Sequence, residues 1–164
     1  MNHDNHITIS HITPAGPISV TVRGGKITRL DWSAGPTLPR EQMADGTAAE
    51  CLRQIDAYFA GRQTGFDLPL APEGTEFQQA VWAELLKIPY GATASYSEIA
   101  RAIGRPRACR AVAQACHVNP IAIIIPCHRV IGANGRLTGY AAGLGIKQLL
   151  LDLERGIRQD LYDL

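Results

Sequence analysis

A cysteine, a histidine and an arginine stand side by side at Cys127, His128 and Arg129, inside the run Ile125-Pro126-Cys127-His128-Arg129-Val130. A sulfur is a useful nucleophile when it is held rigidly, has a base close by and opens onto a cleft. His128 is the candidate base, and with Arg129 it supplies positive potential that favours a thiolate. Glu154 can orient the imidazole, giving a Cys-His-Glu relay. Pro126 restricts Ile125 and so fixes the approach of the chain. The stretch Ile121 to Ile125 is wholly apolar and reads as buried. Successive side chains of an extended strand point to opposite faces. Cys127 and His128 therefore cooperate only if the chain turns there or a water molecule bridges them. The competing reading of Cys127 is a small buried hydrophobe.

Arg110 is the second candidate, set among Ala108, Ala111, Val112, Ala113 and Ala115. A face of alanines lets a helix lie very close to another surface. That surface is either a small protein core or a nucleic acid whose phosphates or base stack the arginine meets. Tyr96 is a core aromatic or a stacking and hydrogen-bonding group at a nucleobase. From Lys87 to Lys147 the chain carries eight Lys and Arg against one acid, Glu98, although the formal net charge of the whole is only +1. Such a local surplus suits a polyanionic partner, or else is a solvated basic face.

No metal and no cofactor is expected. His3, His6 and His11 cluster early, and Cys109, Cys116, Cys127, His117 and His128 cluster later, but neither set has the spacing of a structural zinc site. Neither common glycine-rich phosphate loop is present. Cys51, Cys109 and Cys116 fall at helical positions and read as packing residues.

These residues need a scaffold. Ile7 to Ile12, Ile18 to Val22 and Lys26 to Trp32 read as three antiparallel strands, with turns at Pro14-Ala15-Gly16-Pro17 and Gly24-Gly25. A loop rich in Gly and Pro follows. Thr47 is the expected N-cap of a helix carrying Cys51, Leu52, Ile55, Tyr58 and Phe59, ended by Gly61. Gly65 to Gly74 reads as a linker. Thr75, with Gln78 three residues on, opens a helix bearing Phe77, Val81, Trp82, Leu85 and Leu86, and Pro89-Tyr90-Gly91 stops it. A short helix from Ser95 or Tyr96 ends at Gly104. Pro106 suits the first turn of a third helix running to about His117, so the pair fits a helix-turn-helix. Gly132 to Gly139 suggests a wing. Gly145 leads into a last helix with Ile146, Leu149, Leu150 and Leu153 on its apolar face.

The composition of the 164 residues, 46% hydrophobic and 19% charged, is that of a globular chain of one domain or two small ones. No apolar run approaches the roughly 20 residues of a membrane span, and MNHDNHITIS lacks the features of a secretory leader. Four irregularly spaced cysteines imply free thiols in a reducing compartment, most simply the cytoplasm. No long apolar stripe calls for a partner, so a monomer is expected.

The second half resembles the methylated-DNA–protein-cysteine methyltransferases, the O6-alkylguanine-DNA alkyltransferase family. The resemblance rests on GTEFQQAVWAELLKIPYGATASYSEIA (Gly74 to Ala100), RAV (Arg110 to Val112), NPIAIIIPCHRVIG (Asn119 to Gly132) and LTGY (Leu137 to Tyr140). It implies an α+β protein. A small ribonuclease-H-like antiparallel sheet with a helix would span residues 1–72, and a mainly α winged helix-turn-helix domain residues 73–164. It also implies a reaction. The protein would bind duplex DNA holding O6-alkylguanine, and O4-alkylthymine is a further candidate substrate. Arg110 would fill the gap left by the extruded base, with Ala111 and Ala115 on the same DNA-facing helix, and Tyr96 would rotate the nucleotide and donate at the base ring. Cys127 would take the alkyl group, His128 the thiol proton through water, Glu154 would orient His128, and Asn119 would hold the turn. The carbonyls of Cys127 and Val130 would read the guanine amino group, with Tyr140 in the pocket wall. Where some relatives have serine, only the backbone N–H of Ala141 would bond O6. Two other readings remain open on the sequence: a non-catalytic binder that flags alkylated bases, and a DNA-binding regulator with a structural or redox-sensing cysteine.

Overall fold

The computed structural model describes residues 6–35 and 46–157. His3 and most of the Gly- and Pro-rich loop lie outside the described residues. The chain folds as two compact units: residues 1–73 with Pro120–Ala122, and Gly74–Asn119 with 123–164.

The first unit is a three-stranded antiparallel sheet in the order β1-β2-β3, with β1 at His6–Thr13, β2 at Gly16–Arg23 and β3 at Lys26–Asp31. Ile9, Ile18, Val20, Val22, Ile27 and Leu30 are buried. Helix α1, Thr47–Phe59, packs on all three strands and buries Cys51, Leu52, Ile55, Tyr58 and Phe59. The central strand β2 is buried on both faces, so its inner polar residues need partners: Ser19 Oγ donates to the Ser33 carbonyl at 2.7 Å, and Thr21 Oγ1 lies 3.1 Å from Thr8 Oγ1. The outer edge of β3 is not left bare. Ile27 bonds Pro69 and Ala71, and Leu30 bonds Pro120 and Ala122, all at 2.8–3.0 Å, so two short extended stretches occupy its free donors and acceptors. The cap of α1 differs from expectation. Gly46, at φ 100, is the N-cap, and Thr47 instead donates its hydroxyl to the Gly25 carbonyl at 2.7 Å.

The second unit contains α2 (Glu76–Leu85), β4 (Ala94–Ser95), α3 (Tyr96–Ala102), α4 (Cys109–His117), β5 (Val130–Ile131) and α5 (Leu144–Glu154), with β4 and β5 paired in parallel. The expected capping box of Thr75 with Gln78 forms, and Ser95 with Glu98 forms another that was not expected. Trp82, almost fully buried, donates its indole N–H to the Ala115 carbonyl at 2.9 Å, tying α2 to α4. Gly104, at φ 75, ends α3, and α4 packs against it in a helix-turn-helix. Helix α4 starts at Cys109 and not at Pro106, because residues 105–108 form a separate turn closed by Ala108 N–H to the Arg105 carbonyl. The last helix is rotated relative to expectation. Its buried residues are Lys147, Leu150, Leu151, Asp152 and Glu154, while Ile146, Leu149 and Leu153 are half-buried. No helix among the described residues is long and apolar enough to cross a membrane.

Candidate active site

All the site residues lie in the second unit. The buried approach to Cys127 contains Ile123 at φ 69, in the left-handed region that a β-branched side chain rarely adopts. Such a conformation costs about 1–3 kcal/mol and persists only where packing enforces it. Cys127–Arg129 then forms one 3-10 turn, closed by Arg129 N–H to the Pro126 carbonyl at 3.0 Å and Val130 N–H to the Cys127 carbonyl. This is the turn that cooperation between adjacent Cys127 and His128 requires. Asn119 braces it: its Nδ2 donates to the Ile125 carbonyl at 2.8 Å and to Cys127 Sγ at 3.1 Å.

His128 is fully buried, and its Nε2 lies 2.6 Å from Glu154 Oε2. Arg129 lays its guanidinium on the same carboxylate, Nε to Oε1 at 2.7 Å and Nη2 to Oε2 at 3.1 Å, and donates Nη1 to the Ile88 carbonyl at 2.6 Å. The Gly91 N–H also reaches Oε1, at 3.4 Å. A carboxylate only accepts, so Nε2 is the protonated ring nitrogen and Nδ1 carries the lone pair. Nδ1 is buried and bonded to no atom among the described residues, which leaves it able to take a proton. Burial holds His128 below its ordinary pKa of 6.5, outweighing the pull of Glu154 in the other direction, so the imidazole is a neutral base. The expected role of Arg129 changes accordingly: its charge is bound to Glu154 and is not directed at the sulfur.

The cation that acts on Cys127 is Lys147, read from the sequence only as part of the basic surplus. Its Nζ is buried and donates to the carbonyls of Val130 at 2.7 Å and Thr138 at 2.8 Å. Burial raises the Cys127 thiol above its ordinary value; the Asn119 hydrogen bond and the Lys147 charge pull it back down. The resting sulfur is thus a protonated thiol whose deprotonation these two groups ease. Cys51 and Cys116 are pushed up to about 12 by burial and are inert packing residues. A signal for Lys147 existed. Lys147, Leu150, Leu151 and Glu154 stand at i, i+3, i+4 and i+7, one helical face, so a lysine there had to be buried with a partner.

Tyr96 opens α3 and accepts a hydrogen bond from Thr138 Oγ1 at 2.8 Å. Burial raises the phenol pKa, so its own proton stays on and remains available to donate. Between Tyr96 and Thr138 on one side and Arg110, Ala113 and His117 of α4 on the other lies a cleft of about 340 Å³. Arg110 and Ala111 are exposed. Ala115 is not on that surface: it is buried at the contact with Trp82, so its expected place in a DNA-facing set is wrong. Cys109 also departs from its packing role, since it lines the cleft and its Sγ lies 3.5 Å from Ser97 Oγ. Val130 is buried with its carbonyl already engaged by Lys147, Tyr140 is half-buried, and Ala141 is exposed. Among the described residues no group of His, Cys, Asp and Glu is arranged to hold a metal ion.

Residues 10–72 match the family model for the ribonuclease-like domain of 6-O-methylguanine DNA methyltransferase, and residues 76–156 match the model for its DNA-binding domain. A methylated-DNA–protein-cysteine methyltransferase of Methanosarcina barkeri is 51% identical over 146 residues, covering 87% of this chain and 92% of that one. A crystal structure of the Mycobacterium tuberculosis O6-methylguanine methyltransferase superposes with a TM-score of 0.81 at 44% identity, covering 96% and 99% of the two chains. A second M. tuberculosis structure, of OGT in complex with DNA, gives the same TM-score at 46% identity, covering 92% and 93%. The two family models, one on each unit, and a relative 51% identical over 87% of the chain make this chain a member of the methylated-DNA–protein-cysteine methyltransferase family.

Proposed function

We propose that this protein repairs DNA by direct reversal, transferring the alkyl group of O6-alkylguanine irreversibly to Cys127. The observation that carries this reading is the neutral, buried His128, with Nε2 on Glu154 and Nδ1 unbonded, one residue from a thiol braced by Asn119. The duplex is bound by the basic helix-turn-helix. Arg110 takes the place of the extruded nucleotide, which turns past Tyr96 towards Cys127 at some cost in unstacking. The thiol proton passes through water to His128 Nδ1. The sulfur attacks the alkyl carbon in line; the S–C bond forms as the C–O6 bond breaks, and its electron pair stays on O6. Tyr96 donates to the guanine ring as that charge builds, and the proton left on His128 restores the balance. The net change moves one alkyl group from oxygen to sulfur and one proton from sulfur to guanine. The thioether does not turn over, so each chain reacts once.

Guanine is read by the Cys127 and Val130 carbonyls and the Ala141 N–H, with Tyr140 in the pocket wall. A domain boundary at residues 72–73, a monomeric state and a cytoplasmic location, where thiols stay reduced, complete the reading. The non-catalytic alternative is not favoured, because curated relatives at about half identity are named methyltransferases. The test is incubation with a duplex holding one O6-methylguanine, followed by peptide mass spectrometry. One methyl on the Cys127 peptide, with guanine restored, is expected. Tight lesion binding by an unmodified protein would return the non-catalytic reading.

A further inference from the structure

The cleft beside Tyr96 has a wall that alkyl transfer to Cys127 does not fully use. Arg110, Ala113 and His117 stand at i, i+3 and i+7 on α4, so they share one face. Arg110 is at the start of that helix and His117 at its end, about 10 Å further along the axis. His117 is exposed, while its neighbour Cys116 is buried and Val118 points to solvent away from the cleft lining. Two residues beyond His117, Asn119 donates to Cys127 Sγ at 3.1 Å. His117 therefore stands at the end of α4 from which the chain runs on to Asn119, and Arg110 near the other end. Among the described residues no carboxylate lines the cleft. Two basic side chains with no acid between them suit an anion, and an extruded nucleotide carries its flanking phosphates with it.

We infer that His117 is a positioning residue for the extruded nucleotide, donating a ring N–H to a phosphate that flanks the lesion. The inference rests on the alkyl-transfer reading and adds a contact to it. Because the His117 side chain is exposed and lies outside the core, replacing it leaves the packing intact. A neutral alanine at this position removes the donor; arginine keeps one of similar reach.

The test compares the wild-type protein with His117→Ala and His117→Arg in single-turnover transfer. Substrates are an O6-methylguanine duplex, the same duplex with a methylphosphonate at either linkage flanking the lesion, and free O6-benzylguanine. His117→Ala should slow transfer from the natural duplex roughly tenfold, the loss of one charge-assisted hydrogen bond. It should change reaction with the free base by less than about twofold, and His117→Arg should recover most of the duplex rate. One of the methylphosphonates should slow the wild type and leave His117→Ala unaffected, since the contact is already gone. Equal loss on duplex and free base, or additive loss with both methylphosphonates, would overturn the inference. If the wild type transfers no methyl group at all, the functional reading itself fails; if it transfers well and is indifferent to His117, only the phosphate contact does.

Discussion

At the scale of single residues, burial disfavours the charged forms of two neighbouring groups. The pKa of His128 is held below 6.5 by burial, and Cys127 is held up as a thiol by the same cause. A depressed histidine pKa means that the base stays neutral at pH values where an exposed imidazole would already be protonated. The acid limb of the transfer rate should therefore fall below pH 6.5. A pre-steady-state profile from mildly acidic to mildly basic pH measures it, and a limb above 6.5 would mean that His128 is not the resting base. Lys147 is the opposing influence on the sulfur. Lys147→Met should raise the Cys127 pKa further, slowing thiol alkylation near neutrality on the order of tenfold. Rates of iodoacetamide labelling against pH report this directly; an unchanged profile would leave Lys147 only its two backbone hydrogen bonds.

At the scale of elements, the important joint is between α5 and the turn at Cys127–Arg129. Glu154 receives His128, both arms of Arg129 and the Gly91 N–H, and Arg129 also reaches the Ile88 carbonyl beyond the end of α2. A buried ion pair of this kind is a poor source of net stability but costly to break from one side, since the remaining charge is left without its partner. Arg129→Met should lower unfolding free energy by about 3–5 kcal/mol, read from urea denaturation; a loss below about 1 kcal/mol would mean that Glu154 is satisfied without it. Helix α4 carries a different burden. Its Val112, Ala115 and Cys116 are buried while Arg110 and His117 face the cleft, so one helix serves the core and the cleft on opposite faces. Arg110→Ala should slow repair of duplex DNA far more than reaction with a free benzylated base. Equal loss on both substrates would remove Arg110 from base extrusion.

At the scale of the whole molecule, the basic surplus is smaller on the surface than in the sequence. Of the eight Lys and Arg between Lys87 and Lys147, Arg129 and Lys147 are buried and bonded within the site. Arg105 and Arg107, in the turn between α3 and α4, are exposed and remain for contact with a polyanion. Each phosphate contact releases about one counterion, so Arg107→Ala should reduce the slope of log affinity against log salt by about 1. Its reaction with the free base should not change. An unaltered salt slope would place Arg107 outside the duplex contact.

Much of this was legible in the chain itself. Cys127, His128, Asn119 and Tyr96 lie in recognisable runs, and the Thr75–Gln78 capping box announced the start of α2, because its hydrogen bonds depend on local spacing. The turn at Cys127 was also implied, since adjacent side chains cannot share a face of an extended strand. What local spacing does not encode is the partner that a buried charged side chain meets. Arg129 reads as a source of positive potential but is committed to Glu154, while Lys147 counts towards the basic surplus but reaches the Val130 and Thr138 carbonyls. Ala115 reads as part of a DNA-facing alanine surface but packs against Trp82. Each of these outcomes depends on partners 9 to 33 residues away. Residue types determined the chemistry available to this protein; only tertiary packing decided which charges act on the sulfur and which are spent holding it in place.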